Sequence, residues 1–406
     1  METACLLGRA NLESYVHPSK SEREAVCPIL IFFILNRKEF KMARKKAAEV
    51  QPVLSYKEAI SFEALDDSLM KCKNGVMWKQ TPLSFYLNEF RKVYNLCQSL
   101  KKGTYEPYEA RRFPIFYPKF REILSIHFRD RVFQRSLNDN ILYPTMVKTF
   151  TKSNCACQKG KGTDFALDAL LHYLRHHFRK YGMKGTVVQF DVHGYYKHMK
   201  SSLPKRIFES KIKEKEASEV IGKTLERQHS PVDGFLPGSQ MVQIAGISAL
   251  SPLDHYIAEK LGAELSLRYM DDLLLIFLEE DDARKGMDKV LSKLQSYGFT
   301  PNPNKTKVYS LKKGIKFLGF HFKLTATGKV KQHVLSKNVG HRVRMINALS
   351  KKVKEGVMTI RQFEDSFISW AGHVQRSPNS HNLLLKMKKK LLKAKSKLIK
   401  QTAPLC

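Results

Sequence analysis

Apolar residues recur at intervals of three and four along much of the chain, a spacing that places them on one face of a helix. The region 331–400 is helical by pattern and rich in lysine, above all after Lys386. The helix predicted over 83–100 is expected to end at Lys101-Lys102-Gly103, because a glycine after basic residues is typical of a helix C-terminus. The pattern predicts helices over 83–100, 130–142, 164–178, 241–261 and 283–297.

Shorter runs of β-branched, aromatic and alternating residues predict strands between these helices. Two of them, 112–117 and 121–126, flank Pro118-Lys119-Phe120 and predict a hairpin. Further strands are predicted at 186–192, 306–311 and 315–322.

Two adjacent carboxylates, Asp271 and Asp272, follow Tyr269-Met270 and precede the apolar run 273–277. This order predicts a tight hairpin turn between two short buried strands. Because neighbouring buried carboxylates repel each other and are penalised by desolvation, a hard divalent cation is their natural compensation. Taken alone, the stretch is equally compatible with a polar turn that binds nothing, since Asp is common in turns.

Asp191 ends the β-branched run that begins at Thr186. A strand that carries one carboxylate and a later hairpin that carries two are what phosphoryl transfer by two magnesium ions requires. We therefore expect Asp191 to join Asp271 around a shared metal.

The charge balance points to a polyanionic partner. Lys and Arg number 71 against 38 Asp and Glu, a formal net charge of +33 that is spread over most of the chain. Nucleic acid is favoured over a membrane, because no apolar run approaches the roughly 18 residues that a membrane-spanning helix needs. Solubility alone is the alternative, but it calls for a far smaller charge.

The cysteines favour a reducing compartment. There are seven, an odd and scattered set, which fits the cytoplasm. Cys155 and Cys157 form the only close pair, and the absence of a second pair at metal spacing argues against a zinc site.

Three further segments carry expectations from the residues alone. Arg121, with Lys119 second, is the candidate to hold a triphosphate, and a solvated edge strand is the alternative. The segment 159–163 lacks Walker spacing, so we expect Thr163 to cap a helix and the backbone to approach phosphate. Met42 is the expected biological start, with residues 1–41 an upstream extension that is not native.

The residues over 83–385 resemble reverse transcriptases of the bacterial non-retroviral type. Phe190-Asp191 with Tyr195-Tyr196 resembles the first palm motif, Tyr269 to Asp272 the aspartate-pair motif, and 314–320 the primer-grip segment. Segments 121–123 and 128–134 resemble the fingers signature. Within the family the chain is most similar to enzymes of diversity-generating retroelements, on the segments 155–163, 251–255 and 369–374.

The resemblance implies an α+β, right-hand polymerase fold, with fingers and palm built of an antiparallel sheet plus helices, and a helical thumb. The implied organisation is an N-terminal extension (1–41), a basic segment (42–82), fingers and part of the palm (83–185), the palm with the catalytic aspartates (186–325), the thumb (326–385) and a basic tail (386–406).

The resemblance also implies site roles. Asp191 and Asp271 would hold two Mg²⁺, with Asp272 in support and the backbone of Val192 as a further contact. Tyr196 matches the ring that excludes a 2′-hydroxyl and so selects deoxynucleotides. The other implied roles are Gly238 and Gln243 in the template-nucleotide site, Lys305 as proton donor to the leaving pyrophosphate or as part of a basic loop on the duplex, and Phe317, Leu318 and Gly319 as primer grip.

One motif departs from the family pattern. The segment 238–243 has Val242 where a serine is usual, and Ile247 stands where an asparagine is common. Because this motif meets the template and the incoming base, the departure bears on fidelity and subgroup.

The expected activity is RNA-directed DNA synthesis in a diversity-generating retroelement, that is, mutagenic retrohoming. A defence-associated enzyme that uses a dedicated non-coding RNA in anti-phage immunity is the alternative. An RNA-synthesising palm polymerase and an inactive nucleic-acid scaffold are the competing classes. Expected partners are template RNA, the RNA:DNA hybrid, dNTPs, and either a small basic accessory protein (the accessory variability determinant) or a structured non-coding RNA, with no membrane. The expected location is the cytoplasm, for a protein encoded by a bacterium or phage.

Overall fold

The computed structural model describes residues 52–116 and 120–402, with side chains described as far as Leu398. The extension 1–41, the start at Met42 and the candidate Lys119 lie outside the described residues. The described chain is a mixture of helices and antiparallel sheets, so the α+β class is confirmed.

The N-terminal helices are α1 (Tyr56–Ala59), α2 (Phe62–Cys72), α3 (Gln80–Leu87) and α4 (Glu89–Lys101). The prediction of one helix over 83–100 was wrong, because the chain breaks at Asn88, which ends α3 and begins α4. The break leaves Phe90 and Tyr94 exposed, although the helical spacing had assigned them to the buried face. Val93 and Cys97 are buried as predicted.

The predicted hairpin is formed by β1 (Arg111–Ile115) and β2 (Arg121–Ser125), which pair antiparallel. It leads into α5 (Phe128–Leu137), a π-helical turn (Asn138–Leu142), α6 (Tyr143–Met146) and, after a 3₁₀ turn, α7 (Thr163–Tyr181). Gly162, and not Thr163, is the N-cap of α7; the Thr163 hydroxyl instead lies 3.2 Å from the Tyr269 hydroxyl.

A four-stranded antiparallel sheet, in the order β6-β7-β3-β8, forms the centre of the fold. Its strands are β3 (Thr186–Asp191), β6 (Leu265–Tyr269), β7 (Asp272–Phe277) and β8 (Lys307–Ser310). The central pair β3 and β7 is buried on both faces, which explains its continuous apolar sequence. Helices cover one face, and α7 together with residues 311–324 covers the other.

The helices around this sheet include α8 (Tyr195–His198), α9 (Ser202–Lys211), α10 (Lys215–Glu226) and α13 (Glu280–Ser296), with a short pair β4 (His229–Ser230) and β5 (Gly234–Phe235). The predicted helix 241–261 is two helices, α11 (Gln240–Ala249) and α12 (Ser251–Lys260). Pro252 lies in the first turn of α12, where its missing N–H costs nothing, and the chain reorients at Leu250.

The predicted strand 315–322 is also two elements, β9 (Ile315–Phe317) and β10 (Phe320–Leu324), which pair antiparallel. Leu318 and Gly319 form the two-residue turn between them, with φ of +46° and +89°. Positive φ at both positions is the geometry of a tight β-hairpin turn. β11 (Val330–Val334) completes this sheet, so the helical prediction for 331–334 was wrong.

Three helices end the described chain: α14 (Ser336–Lys354), α15 (Ile360–Val374) and α16 (His381–Thr402). Of these, α14 and α16 are rich in basic residues. They share a small core of their own, which includes Ile346, Phe363 and Met387. The boundary expected at 385/386 falls inside α16, so the lysine-rich stretch begins within a packed helix. No helix among the described residues is long and apolar enough to cross a membrane.

Candidate active site at the aspartate turn

The two-residue turn Met270-Asp271 joins β6 to β7, as the sequence predicted. Met270 has a left-handed φ of +57°. A non-glycine residue in that conformation costs on the order of 1–3 kcal/mol and persists only where its surroundings enforce it. The Arg268 guanidinium donates a 2.9 Å hydrogen bond to the Met270 carbonyl, which helps to hold the turn in this conformation.

Asp191 and Asp272 are direct neighbours across the β3–β7 ladder, and Asp271 precedes Asp272 in the turn. The sheet therefore brings together the three carboxylates that the sequence singled out. Burial, followed by the charges of Asp271 and Asp191, raises the pKa of Asp272 to about 6. Both effects disfavour the ionised form of Asp272, which a bound cation would favour.

A lysine provides part of that compensation. Lys305 Nζ lies 2.6 Å from Asp191 Oδ2, and Asn302 Nδ2 donates to Asp191 Oδ1 at 2.9 Å. Partial burial opposes the charge of Lys305, but the hydrogen bond to Asp191 and the charges of the three aspartates outweigh it and raise the lysine pKa.

The loop that carries Lys305 is tied to the end of β3. The Asn302 N–H donates to the Asp191 carbonyl, and the His193 N–H donates to the Thr300 carbonyl. These two bonds make Val192 and Pro301 an antiparallel bridge pair. Neither the N–H nor the carbonyl of Val192 takes part in the two bonds. The backbone of Val192, which the family resemblance named as a metal contact, directly follows Asp191 in the chain.

The oxygen atoms at this site are of the kind that bind a divalent cation. Carboxylate and carbonyl oxygens are the ligands that Mg²⁺ takes, and a bound cation would favour the ionised form of Asp272, whose pKa burial and the neighbouring carboxylates raise. Within residues 52–116 and 120–402, however, no three His, Cys, Asp or Glu side chains converge closely enough to hold a metal ion.

Tyr196 lies beside the aspartates, half-buried on α8. Its ring packs so closely on Gly246 of α11 that a β-carbon there would lie 2.5 Å from the tyrosine oxygen. Burial, with the nearby Cys157 and Asp271, raises the pKa of Tyr196, so the hydroxyl is neutral. The neighbouring Tyr195 hydroxyl donates a hydrogen bond to the Gly246 carbonyl, so both tyrosines contact Gly246.

Gly238 lies against the hairpin β1–β2. The Leu124 N–H donates to the Pro237 carbonyl, and a β-carbon at Gly238 would lie 2.0 Å from the Leu124 carbonyl oxygen. The absence of a side chain at Gly238 therefore allows the backbone at this position to contact the backbone of β2 at Leu124. Gln243 is exposed on α11, one helical turn before Gly246.

The remaining predicted residues lie in other parts of the fold. Arg121 is exposed at the first position of β2, opposite Ile115. Phe317 is buried at the end of β9. The carbonyl of Gly319 accepts hydrogen bonds from Leu335 N and Asn338 Nδ2, so the turn at 318–319 meets the start of α14.

A buried ion pair that was not predicted from the sequence lies under the turn. Arg268 and Asp254 are both fully buried, and the guanidinium donates two bonds, Nε to Oδ1 at 2.7 Å and a terminal nitrogen to Oδ2 at 2.6 Å. The same guanidinium also donates to the Ile247 carbonyl of α11 at 2.8 Å. The signal was present, because a lone arginine in an apolar strand needs a buried partner.

The segment before α7 adds a further strand-like contact to β6. Asn154 and Arg268 form a parallel bridge, in which Cys155 N donates to the Arg268 carbonyl. Cys157 then brings its sulfur to 3.6 Å from the Met270 sulfur. The described cysteines, Cys72, Cys97, Cys155 and Cys157, are all free thiols.

The chain belongs to the reverse transcriptase (RNA-dependent DNA polymerase) family, whose model matches residues 117–322, half of the chain. The aspartates, Tyr196 and the segment 238–243 all fall within the match, and the mixed helical and antiparallel architecture is that of a right-hand polymerase. No curated protein matches the chain.

Among solved structures, the chain is similar to apo telomerase from Candida tropicalis. One such structure, truncated from the C-terminal domain, is 15% identical over 55% of this chain and 54% of that chain, with a TM-score of 0.40. A second is 16% identical over 60% of this chain and 53% of that chain, with a TM-score of 0.41. The chain thus spans about half the length of these structures.

Proposed function

We propose that this protein is an RNA-directed DNA polymerase that copies an RNA template into cDNA by two-metal nucleotidyl transfer. The observation that carries the proposal is the pairing of Asp191 with Asp272 across β3 and β7, with Asp271 in the adjoining turn. Family membership independently supports this chemistry.

In this proposal Asp191 and Asp271 hold two Mg²⁺, Asp272 supports them, and the Val192 carbonyl is a further ligand. When bound, the ions would lower the pKa of the primer hydroxyl and neutralise charge on the phosphates. The protein contributes position more than reactive groups, since phosphoryl transfer needs little else. Lys305 would donate a proton to the leaving pyrophosphate or, as the alternative, belong to a basic loop that faces the duplex.

The nucleotide side of the proposed site combines a steric gate with a basic hairpin. Tyr196 has its ring fixed by Gly246, which suits it to exclude a 2′-hydroxyl. Gly238 and Gln243 line the template-nucleotide side. Arg121 and Lys119, from the hairpin β1–β2, contact the triphosphate.

The proposed division is fingers and part of the palm (83–185), the palm with the catalytic aspartates (186–325), the thumb (326–385) and a basic tail (386–406). Phe317, Leu318 and Gly319 act as the primer grip, supported by the bonds from Leu335 and Asn338 to Gly319. The lysine-rich helices α14 and α16 contact the phosphates of the RNA:DNA hybrid by shape and charge.

The proposed biological setting is a diversity-generating retroelement in the cytoplasm of a bacterium, encoded by the host or a phage, with a small basic accessory protein. Two of the segments that resemble those enzymes, 155–163 and 251–255, contact Arg268, which lies two residues before the aspartate turn. The Cys155 N–H donates to the Arg268 carbonyl, and Asp254 forms an ion pair with the Arg268 guanidinium. An enzyme of anti-phage defence, with a dedicated structured non-coding RNA, is the alternative.

Incorporation on one defined RNA template tests the activity. The proposal expects DNA synthesis from dNTPs, little synthesis from NTPs, and loss of both in Asp271→Asn. Equal synthesis by Asp271→Asn would refute the site. Sequencing the RNA that copurifies with the protein then separates the settings: a repeat of a variable protein gene indicates the retroelement, and a dedicated non-coding RNA indicates defence.

A further inference from the structure

A cleft of about 600 Å³ opens between the second half of α7 and the turn that joins β10 to β11. Four of its nine lining residues are cationic and none is acidic. The cations are Arg175 and Arg179 on the helix, and Lys329 and Lys331 on the hairpin. All four side chains are exposed.

The cations form two short rows. Arg175 and Arg179 are four residues apart on α7, so their β-carbons lie about 5–6 Å apart on one face of the helix. Lys329 and Lys331 are two residues apart, an interval that returns side chains to one face of a strand. Lys323 pairs with Lys331 across β10 and β11 and extends the positive surface.

The scaffold under these cations is firmly built. A β-carbon at Gly328 would lie 2.7 Å from the Phe178 ring, so the hairpin turn rests directly on α7. Gly328 N and Thr325 N donate to the carbonyls of Thr325 and Lys329, which closes the turn. The cleft is therefore a fixed feature of the described fold.

The charge of the cleft is not compensated within the described part of the chain. Other cations near α7 have carboxylate partners, as in the pairs Lys184–Glu279 and Arg376–Asp164, whereas the four cations of the cleft have no ion pair there. Clustered like charges repel one another, and an array of phosphates removes that repulsion while releasing counterions.

The cleft is separate from the aspartates. α7 begins at Thr163, next to Tyr269 of the aspartate turn, and a helix rises about 1.5 Å per residue. Arg175 is twelve residues further along and Arg179 sixteen, so the cleft lies about 18–24 Å along the helix from that end.

We propose that this cleft binds phosphates of the template RNA at a second contact, outside the segment that is being copied. The proposal rests on the proposed function, which makes RNA the relevant polyanion. It implies that a long structured RNA is held at two points, whereas a short template–primer duplex meets only the site at the aspartates.

The test uses the full chain with Arg175→Gln and Arg179→Gln combined. The matched control is Lys285→Gln with Lys289→Gln, an exposed pair with the same spacing on α13. We expect the cleft variant to bind a long structured RNA about tenfold more weakly, the scale of one or two charge-assisted contacts. The slope of log affinity against log salt should decrease in magnitude by about 1.4–1.8, for two contacts at about 0.7–0.9 each.

Extension of a short primer on a short RNA template should be the same in the cleft variant, the control and the unaltered protein. If the cleft variant and the control bind the long RNA with equal affinity and slope, the proposal is overturned. If the cleft variant binds the long RNA normally and loses affinity only for phosphatidylserine vesicles, the proposal is also overturned, and the cleft is a membrane contact instead.

The two proposals fail in different ways. Absence of primer extension by the unaltered protein refutes the proposed activity, whereas weaker RNA binding by the cleft variant still supports the second contact. Normal extension together with unaltered RNA binding by the cleft variant refutes the second contact alone.

Discussion

Arg268 and Asp254 form a buried ion pair beneath the aspartate turn, with both side chains fully inaccessible to solvent. The guanidinium links α12, through Asp254, to the carbonyl of Ile247 in α11 and to that of Met270 in the turn. Because Met270 is held at a positive φ, the bond to its carbonyl helps to fix the conformation that presents Asp271.

Replacing Arg268 by Met should therefore separate stability from activity. The single change leaves the Asp254 carboxylate buried without its partner and should lower the free energy of unfolding by about 3–5 kcal/mol. The double variant Arg268→Met with Asp254→Leu should recover most of that loss, because apolar residues often replace a buried pair well. DNA synthesis should stay low in the double variant, since no donor reaches Met270. Denaturant titration and primer extension measure the two effects, and a double variant with full synthesis would remove the positioning role.

Neutralising an aspartate of the site should abolish synthesis without unfolding the protein. We expect Asp191→Asn to reduce DNA synthesis by about 10²–10³-fold, as expected for the loss of several kcal/mol of metal-dependent stabilisation. Asp272→Asn should have a similar effect on synthesis and should raise stability by on the order of 1 kcal/mol, because it removes a charge that burial and the neighbouring carboxylates disfavour, as the raised pKa of Asp272 indicates. Asp288→Asn, an exposed change on α13, is the control and should alter neither quantity.

Tyr196 should govern the choice of sugar. Tyr196→Ala removes the ring and should let ribonucleotides be incorporated at rates within about tenfold of deoxynucleotides, which corresponds to a remaining barrier difference of about 1.4 kcal/mol. Tyr196→Phe keeps the ring next to Gly246 and should preserve selection for deoxynucleotides. Competitive incorporation of dNTPs and NTPs on one RNA template checks both variants. Unchanged selectivity in Tyr196→Ala would locate the gate elsewhere.

Removing divalent cations should stop synthesis reversibly. Excess EDTA should abolish primer extension, and Mg²⁺ added back should restore it with a cooperative dependence on concentration, as expected if two ions act together. Thermal unfolding of the protein alone should change little on chelation, because Lys305 and Asn302 already engage Asp191. Synthesis that persists in EDTA would contradict the metal-dependent mechanism.

The sequence by itself determined the local features that depend on neighbouring residues. The hairpin at Met270-Asp271, the strand that ends at Asp191 and the helix α13 follow from hydrophobic period and turn chemistry, and the structure has each of them. The errors lie where a local break interrupts a continuous pattern, at Asn88, at Leu250 and at Leu318-Gly319. The spacing of apolar residues does not reveal a break in a helix or strand when the segments on both sides of the break are apolar.

Only the tertiary structure decided which distant residues meet. The register of β3 against β7 pairs Asp191 with Asp272, and the fold brings Lys305, Asn302 and Gly246 to them. The partner of Arg268 and the cationic cleft also arise from residues far apart in the chain. Such contacts depend on how strands align and helices pack, and these are set by the burial of the whole core and not by any one segment.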